Sequence, residues 1–117
     1  MGRVYLTYFD QTPDTQFYLC RACQVHIALP QEFVDIFIDN ELAGGVFRNV
    51  ANVHTLSPEQ DRRVGDRTLS DVYCNSCGNL LGVKFIEVAS DDEAVTAGYF
   101  LLRREKLKKW NGQEIVD

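Results

Sequence analysis

Apolar and polar positions alternate over short runs along this chain, and almost nowhere does a 3.6-residue period last long enough to build a helix of ordinary length. Residues 4–8 are rich in β-formers and predict a short strand, with turn chemistry in the polar 10–15 stretch after it. Residues 17–19 predict a second strand. An apolar run over 25–29 follows, and Pro30 ends it. Residues 33–38 fit either a strand or a single helical turn built on Phe33, Ile36 and Phe37. Gly44-Gly45 breaks the pattern, and residues 46–53, where β-branched side chains dominate, predict the next strand. Residues 57–63 read as a polar connector and Gly65-Asp66 as a turn. Extended chain is expected again over 68–73 and over 80–88, with Val83, Phe85 and Ile86 facing inward. Asp91-Asp92-Glu93 offers an acidic start for one short helix around Ala94, which Gly98 ends. Residues 99–102 predict a final strand. The pattern implies a mainly β, antiparallel domain with one or two short helices, spanning residues 1–104. Residues 105–117 are expected as a polar tail, basic and then acidic.

The four cysteines of the chain change this picture. They fall in two pairs, Cys20-Arg-Ala-Cys23 and Cys74-Asn-Ser-Cys77, with 50 residues between the inner members. Two C-x-x-C pairs supply what one tetrahedral divalent ion requires, and zinc is the usual occupant of a four-thiolate site. In each pair the two-residue spacer turns both sulfurs toward one point and lets backbone N–H groups reach them, so each pair offers half a coordination shell. Two disulfides are the alternative. They suit a secreted chain, whereas the first residues, Met1-Gly-Arg-Val-Tyr-Leu-Thr-Tyr, lack a long apolar core and are not expected to act as a signal peptide. A redox pair needs no twin, which leaves one structural zinc ion on Cys20, Cys23, Cys74 and Cys77 as the expected cofactor.

At 117 residues the chain is expected to form one domain, small enough for a metal cross-link to matter. A net charge of −5 and a pI near 4.9 disfavour a broad phosphate-binding face. No apolar run approaches the roughly 20 residues of a membrane span, and Leu6 stands where a myristoylation motif needs Ser or Thr. Nucleus and cytoplasm are the expected locations. One segment runs against the charge argument: Arg103, Arg104, Lys106, Lys108 and Lys109 lead into Trp110, a composition that binds phosphate and stacks a base, or docks on an acidic partner. Nucleic acid remains the minor reading of it.

In order along the chain, Met1-Gly2-Arg3, Cys20-Arg-Ala-Cys23-Gln-Val-His26-Ile-Ala28-Leu29-Pro30, Phe47-Arg-Asn-Val50-Ala-Asn52-Val53, Gly65 and Asp71 ahead of Cys74-Asn-Ser-Cys77, Leu81-Gly82-Val83-Lys84-Phe85, and Gly98-Tyr-Phe100-Leu-Leu102 resemble the motifs of the Yippee-like proteins. Plant-type members, which open with Met-Gly-Arg and carry a similar His-x-Ala-Leu-Pro, resemble it most. The resemblance implies a β-tent, two antiparallel sheets pinned by zinc, an architecture also found in the Mis18 centromere proteins, the ligand-binding domain of cereblon and methionine-R-sulfoxide reductase. It implies protein partners as well, among them subunits of a GID-type ubiquitin ligase or of the mitotic apparatus, with the chain a monomer or weak homodimer. The chain is divergent: Val83 stands where the family carries Trp, Arg67 where His is common, and Val95-Thr96-Ala97-Gly98 where a Lys-Tyr-Lys-Glu-Gly run is usual.

These departures bear on function. Cereblon grips cyclic imides with aromatic side chains. Counted from the cysteines, those positions fall at Arg63, Leu69, Val83 and Phe85, so three of the four aromatics are missing. Leu69, Val83 and Phe85 are therefore expected as core between the sheets, and a small-ligand or peptide-end receptor stands as the alternative function. Sulfoxide reductase chemistry needs a nucleophilic cysteine beyond the metal ligands, and there is no fifth cysteine. Four thiolates also leave no open metal position for water or substrate. His26 is expected to pack or orient behind the ligands, and His54 has no evident carboxylate partner. The expectation is a non-enzymatic, zinc-stabilised protein-interaction module.

Overall fold

The computed structural model describes residues 8–39, 42–88 and 95–117. Among the described residues, eleven strands form two antiparallel sheets: β1 (Phe17–Cys20), β2 (His26–Ala28), β3 (Phe33–Ile38), β4 (Ala43–Phe47), β5 (Val53–Thr55), β6 (Arg62–Val64), β7 (Arg67–Cys74), β8 (Leu80–Glu87), β9 (Phe100–Leu102), β10 (Leu107–Trp110) and β11 (Ile115–Val116). The smaller sheet runs β11-β10-β1-β2 and the larger β3-β4-β9-β8-β7-β5, with β6 paired to β7.

Side chains of successive strand residues point to opposite faces, and two cores follow. Cys20, Ile27, Ala28 and Leu107 of the small sheet pack with Phe47, Val72, Cys74, Leu81 and Leu102 of the large one, which joins the two layers. The sequence neighbours Val46 and Leu101 turn the other way, into a second cluster with Leu42, Leu69, Val83, Phe85 and Val95. Leu69, Val83 and Phe85, expected between the sheets, thus belong to a core made by the large sheet alone.

Several expectations are corrected. Among the described residues the only helices are single 3₁₀ turns at Pro30–Glu32, Pro58–Gln60 and Arg104–Lys106. The expected strand over 4–8 and helix around Ala94 lie mostly outside the described residues; Tyr8 and residues 95–98 carry no strand or helix. Residues 33–38 resolve as strand β3. Gly44-Gly45 does not interrupt a strand but lies inside β4, because β9 approaches so closely that a Cβ on Gly44 would overlap the carbonyl of Leu102. The strand expected over 46–53 ends at Phe47, and residues 48–52 form a non-strand connection to β5 that includes Asn52 at a φ of 61°. The connector over 57–63 ends in β6.

The expected tail is part of the fold. β10 pairs with β1, matching Cys20 to Leu107 and Phe17 to Trp110, and β11 pairs with β10. Leu107 is buried in the core that joins the sheets. Trp110 stacks over Phe17 with centroids 6.5 Å apart and donates from Nε1 to the Thr12 carbonyl. The first cysteine loop clamps this hairpin. Arg21 N–H donates to the Lys106 carbonyl, and the guanidinium reaches the Glu105 and Leu107 carbonyls and Asp117 Oδ1. Polar composition hid these strands because their partners lie some 90 residues upstream.

Candidate metal centre

Each cysteine pair sits at the end of a strand where the chain turns on itself. In the first turn, Cys20 N–H donates to the Val25 carbonyl and Gln24 N–H to the Cys20 carbonyl; in the second, Cys74 N–H donates to Asn79 and Gly78 N–H to Cys74. The residue after each second cysteine is left-handed, Gln24 at φ 62° and Gly78 at φ 77°. Two sequences with little else in common therefore build the same loop.

The loops face one another. Sγ of Cys20 lies 3.6 Å from Sγ of Cys77, and Sγ of Cys23 lies 3.6 Å from Sγ of Cys74. All four sulfurs fall within 4.8 Å of one another, and none is in a disulfide. For an ion about 2.3 Å from four sulfurs, the edge of the tetrahedron is roughly 3.8 Å, so the observed spacing fits a four-thiolate site. Among the described residues, no other cluster brings three or more metal-ligating atoms together.

Electrostatics set Cys20 and Cys74 apart from Cys23. Burial pushes the Cys20 thiol up to about 12 against the pull of the Cys23 and Ala22 N–H groups. Cys74 is also raised by burial, against the Cys77 and Ser76 N–H groups. At Cys23 burial acts in the same direction, but the Val25 N–H, the Ser76 hydroxyl and the thiols of Cys74 and Cys20 together outweigh it and bring the group to about 7. Cys77 is exposed. The raised Cys20 and Cys74 thiols hold their protons at neutral pH unless a cation displaces them, so metal binding here would release protons.

The other expected site residues lie elsewhere. His26 is not among the converging ligands: its ring packs on Phe17 at 4.2 Å and beside Phe9 and Tyr8, and Nδ1 accepts the Phe9 N–H at 2.7 Å. Burial lowers its pKa and keeps it neutral. Leu69 and Phe85 are fully buried and Val83 is nearly so, whereas Arg63 is exposed and donates to Thr68 Oγ1. The four do not gather around one hollow. Lys109 lies over the Tyr18 ring at 5.9 Å, so Lys109 and Trp110 are both engaged in packing.

Asn52 was missed by sequence reading. It is buried, its Nδ2 donates to the His26 carbonyl at 2.6 Å, and its own carbonyl accepts the Asn75 N–H inside the second cysteine loop. One residue, by its side chain on one side and its backbone carbonyl on the other, thereby ties β2 to the second cysteine loop. The only available signal was an Asn, a residue that tolerates left-handed backbone, in a β-branched run.

Three comparisons bear on this architecture. Residues 16–115 match a family described as Yippee zinc-binding/DNA-binding/Mis18, centromere assembly. A yippee-like protein of Arabidopsis thaliana is 35% identical over 95 residues, covering 77% of this chain and 72% of that protein. Yippee-like protein 4 of Rattus norvegicus is 26% identical over 97 residues, covering 81% and 76%. The crystal structure of the Mis18 "Yippee-like" domain superposes with a TM-score of 0.66 over 81% of this chain and 94% of that one, at 13% identity, which speaks to the fold alone.

Proposed function

The chain belongs to the Yippee–Mis18 family, and from that premise we propose that it is a non-enzymatic interaction module whose two sheets are held together by one structural zinc ion on Cys20, Cys23, Cys74 and Cys77. The observation that carries the reading is the convergence of all four sulfurs at tetrahedral spacing. Four thiolates close the shell, so the ion has no position to activate water or polarise a substrate. The sequence holds no fifth cysteine to act as a nucleophile. What the ion supplies is cross-linking: it joins the end of β1 to the end of β7, and its binding energy becomes folding energy.

A module of this kind acts through its surface. Protein partners, with ubiquitin-ligase subunits or mitotic and nuclear machinery as the classes to test, and residence in nucleus and cytoplasm, complete the proposal. Nucleic acid is the weaker reading, since the net charge is −5 and Trp110 is held against Phe17. Elemental analysis of freshly reduced protein is expected to give one zinc per chain, and affinity capture from the native cell a specific protein. A metal-free protein, or turnover of a small substrate with no partner captured, overturns it.

A further inference from the structure

A row of aromatic rings crosses one face of the large sheet and ends in a lysine. Cross-strand partners stand on the same side of a sheet, and β3, β4, β9 and β8 set Phe33 beside Phe47, Phe47 beside Phe100, and Phe100 beside Lys84. Tyr18 of the small sheet meets Phe47 edge to face at 5.4 Å, and Lys109 of β10 is the cross-strand partner of Tyr18. Phe47 is buried, whereas Tyr18, Phe33 and Phe100 are half-buried and leave apolar surface open. Ile36, 56% exposed, extends that surface: its partner Gly45 has no side chain to cover it, and a Cβ there would point at the rings of Phe33 and Phe47. Lys84 follows Val83 in β8 and turns to the opposite face from it, so this surface is distinct from the hollow expected around Leu69, Val83 and Phe85.

The charges on the row have one sign. Lys84 Nζ lies 5.4 Å from the centre of the Phe100 ring and Lys109 Nζ 5.9 Å from that of Tyr18. Among the described residues neither ammonium meets a carboxylate, whereas Arg21, Arg62 and Arg67 each hold one. Asp35 lies opposite Val46, on the other face. A ring face attracts an ammonium but does not use up its three N–H donors, which remain for an anion. Three rings separate the two ammonium groups, a path of roughly 20 Å, or about six residues of extended chain. One small anion cannot span it. A nucleic-acid strand suits it poorly, because base stacking needs open ring faces and the rings of Phe100 and Tyr18 each carry a lysine.

We infer that the row docks an extended, acidic segment of a protein partner, which rests on the reading of the chain as an interaction module and gives that module its surface. An apolar side chain of the segment lies on Phe33, Phe100 and Ile36, between carboxylates that reach Lys84 and Lys109.

The test titrates the full, zinc-loaded chain with acetylated Glu-Glu-Leu-Leu-Glu-Glu amide and follows amide chemical shifts. Three comparison probes are the same peptide with Gln for every Glu, the same peptide with Ala for both Leu, and hexathymidylate. Saturable shifts are expected at Tyr18, Phe33, Lys84, Phe100 and Lys109 with the acidic peptide, and affinity lower by at least about threefold for either altered peptide. Lys84→Met and Lys109→Met keep an apolar stem over each ring and remove the charge; each is expected to weaken binding about threefold to fivefold. Lys108→Met changes the net charge equally but turns to the other face of β10, and leaves affinity unchanged. No saturable shift with the acidic peptide, equal affinity for the Gln peptide, an equal loss in Lys108→Met, or tighter binding of hexathymidylate overturns the inference. If a methionine variant fails to fold, the contrast between Glu and Gln peptides on the unmodified chain still decides. In affinity capture from the native cell, a partner held equally by the unmodified chain and by the Lys84→Met, Lys109→Met double variant overturns this surface and leaves the module standing. Absence of any specific partner overturns the module and the surface with it.

Discussion

Replacing Cys77 by Ser separates a metal cross-link from ordinary packing more cleanly than any change to the buried sulfurs. Cys77 is exposed, whereas Cys20 and Cys74 are fully buried. If the thiols only pack, the cost of each Cys→Ser change follows burial, and at an exposed position it stays within about 0.5 kcal/mol. If they share an ion, burial is irrelevant: each change removes a quarter of the shell and puts at risk a metal-linked folding energy on the order of 10 kcal/mol. A domain of this size holds only about 5–15 kcal/mol in total. Loss of even about 5 kcal/mol lowers Tm by roughly 20 °C or more at this chain length. Cys77→Ser is therefore expected to melt at least that far below the unmodified chain by circular dichroism with zinc present, and to lose its stoichiometric metal. The two proteins should converge once a chelator is added. A Tm within a few degrees of the unmodified chain, with metal retained, refutes the four-thiolate site.

Other consequences follow from the same structure. Gly82→Ala forces a Cβ into the Leu101 carbonyl between β8 and β9, so urea unfolding should show a loss of about 3 kcal/mol, more than an exposed strand position would give; unchanged stability refutes the close approach. Arg21→Ala removes donors to the Glu105 and Leu107 carbonyls while its ion pair with Asp117 is too exposed to add much, and is expected to speed hydrogen exchange about tenfold, selectively over residues 105–117. Uniform or absent acceleration contradicts the clamp. His26 has its pKa lowered by burial, so below about 6.5 the unfolded chain binds a proton that the folded chain resists. Stability contributed by the neutral ring is present above that pH and lost as pH falls through the folded value. His26→Gln should flatten that part of the acid limb relative to the unmodified chain, and superimposable limbs sink the assignment.

How far the sequence could be read depends on where each residue's partner lies. The metal site was legible because coordination chemistry writes itself locally: two sulfurs per turn, three residues apart, in duplicate. The runs over 17–19, 68–73 and 80–88 were legible because their own β-forming and apolar residues mark them locally, whatever they pair with. Gly44 was misread as punctuation because the reason for it is the Leu102 carbonyl, nearly sixty positions away. The C-terminal hairpin was misread as tail because its polar strands are recruited by Arg21 and by β1.

The two cysteine loops put this limit in its sharpest form. Gly78 announces its left-handed backbone, since only glycine takes φ 77° without steric cost. Gln24 occupies the equivalent place at φ 62° and announces nothing. A search for loops by glycine would have found the second and passed over the first, yet both close with the same hydrogen bond back to the carbonyl of the leading cysteine. Local preference opposes Gln24 there; the turn is held instead by the Gln24 N–H bond to the Cys20 carbonyl and by its tertiary setting, in which the Cys23 sulfur lies 3.6 Å from that of Cys74. Backbone that runs against a residue's own preference is thus legible only once the far side of the contact, here the second cysteine loop, is in place.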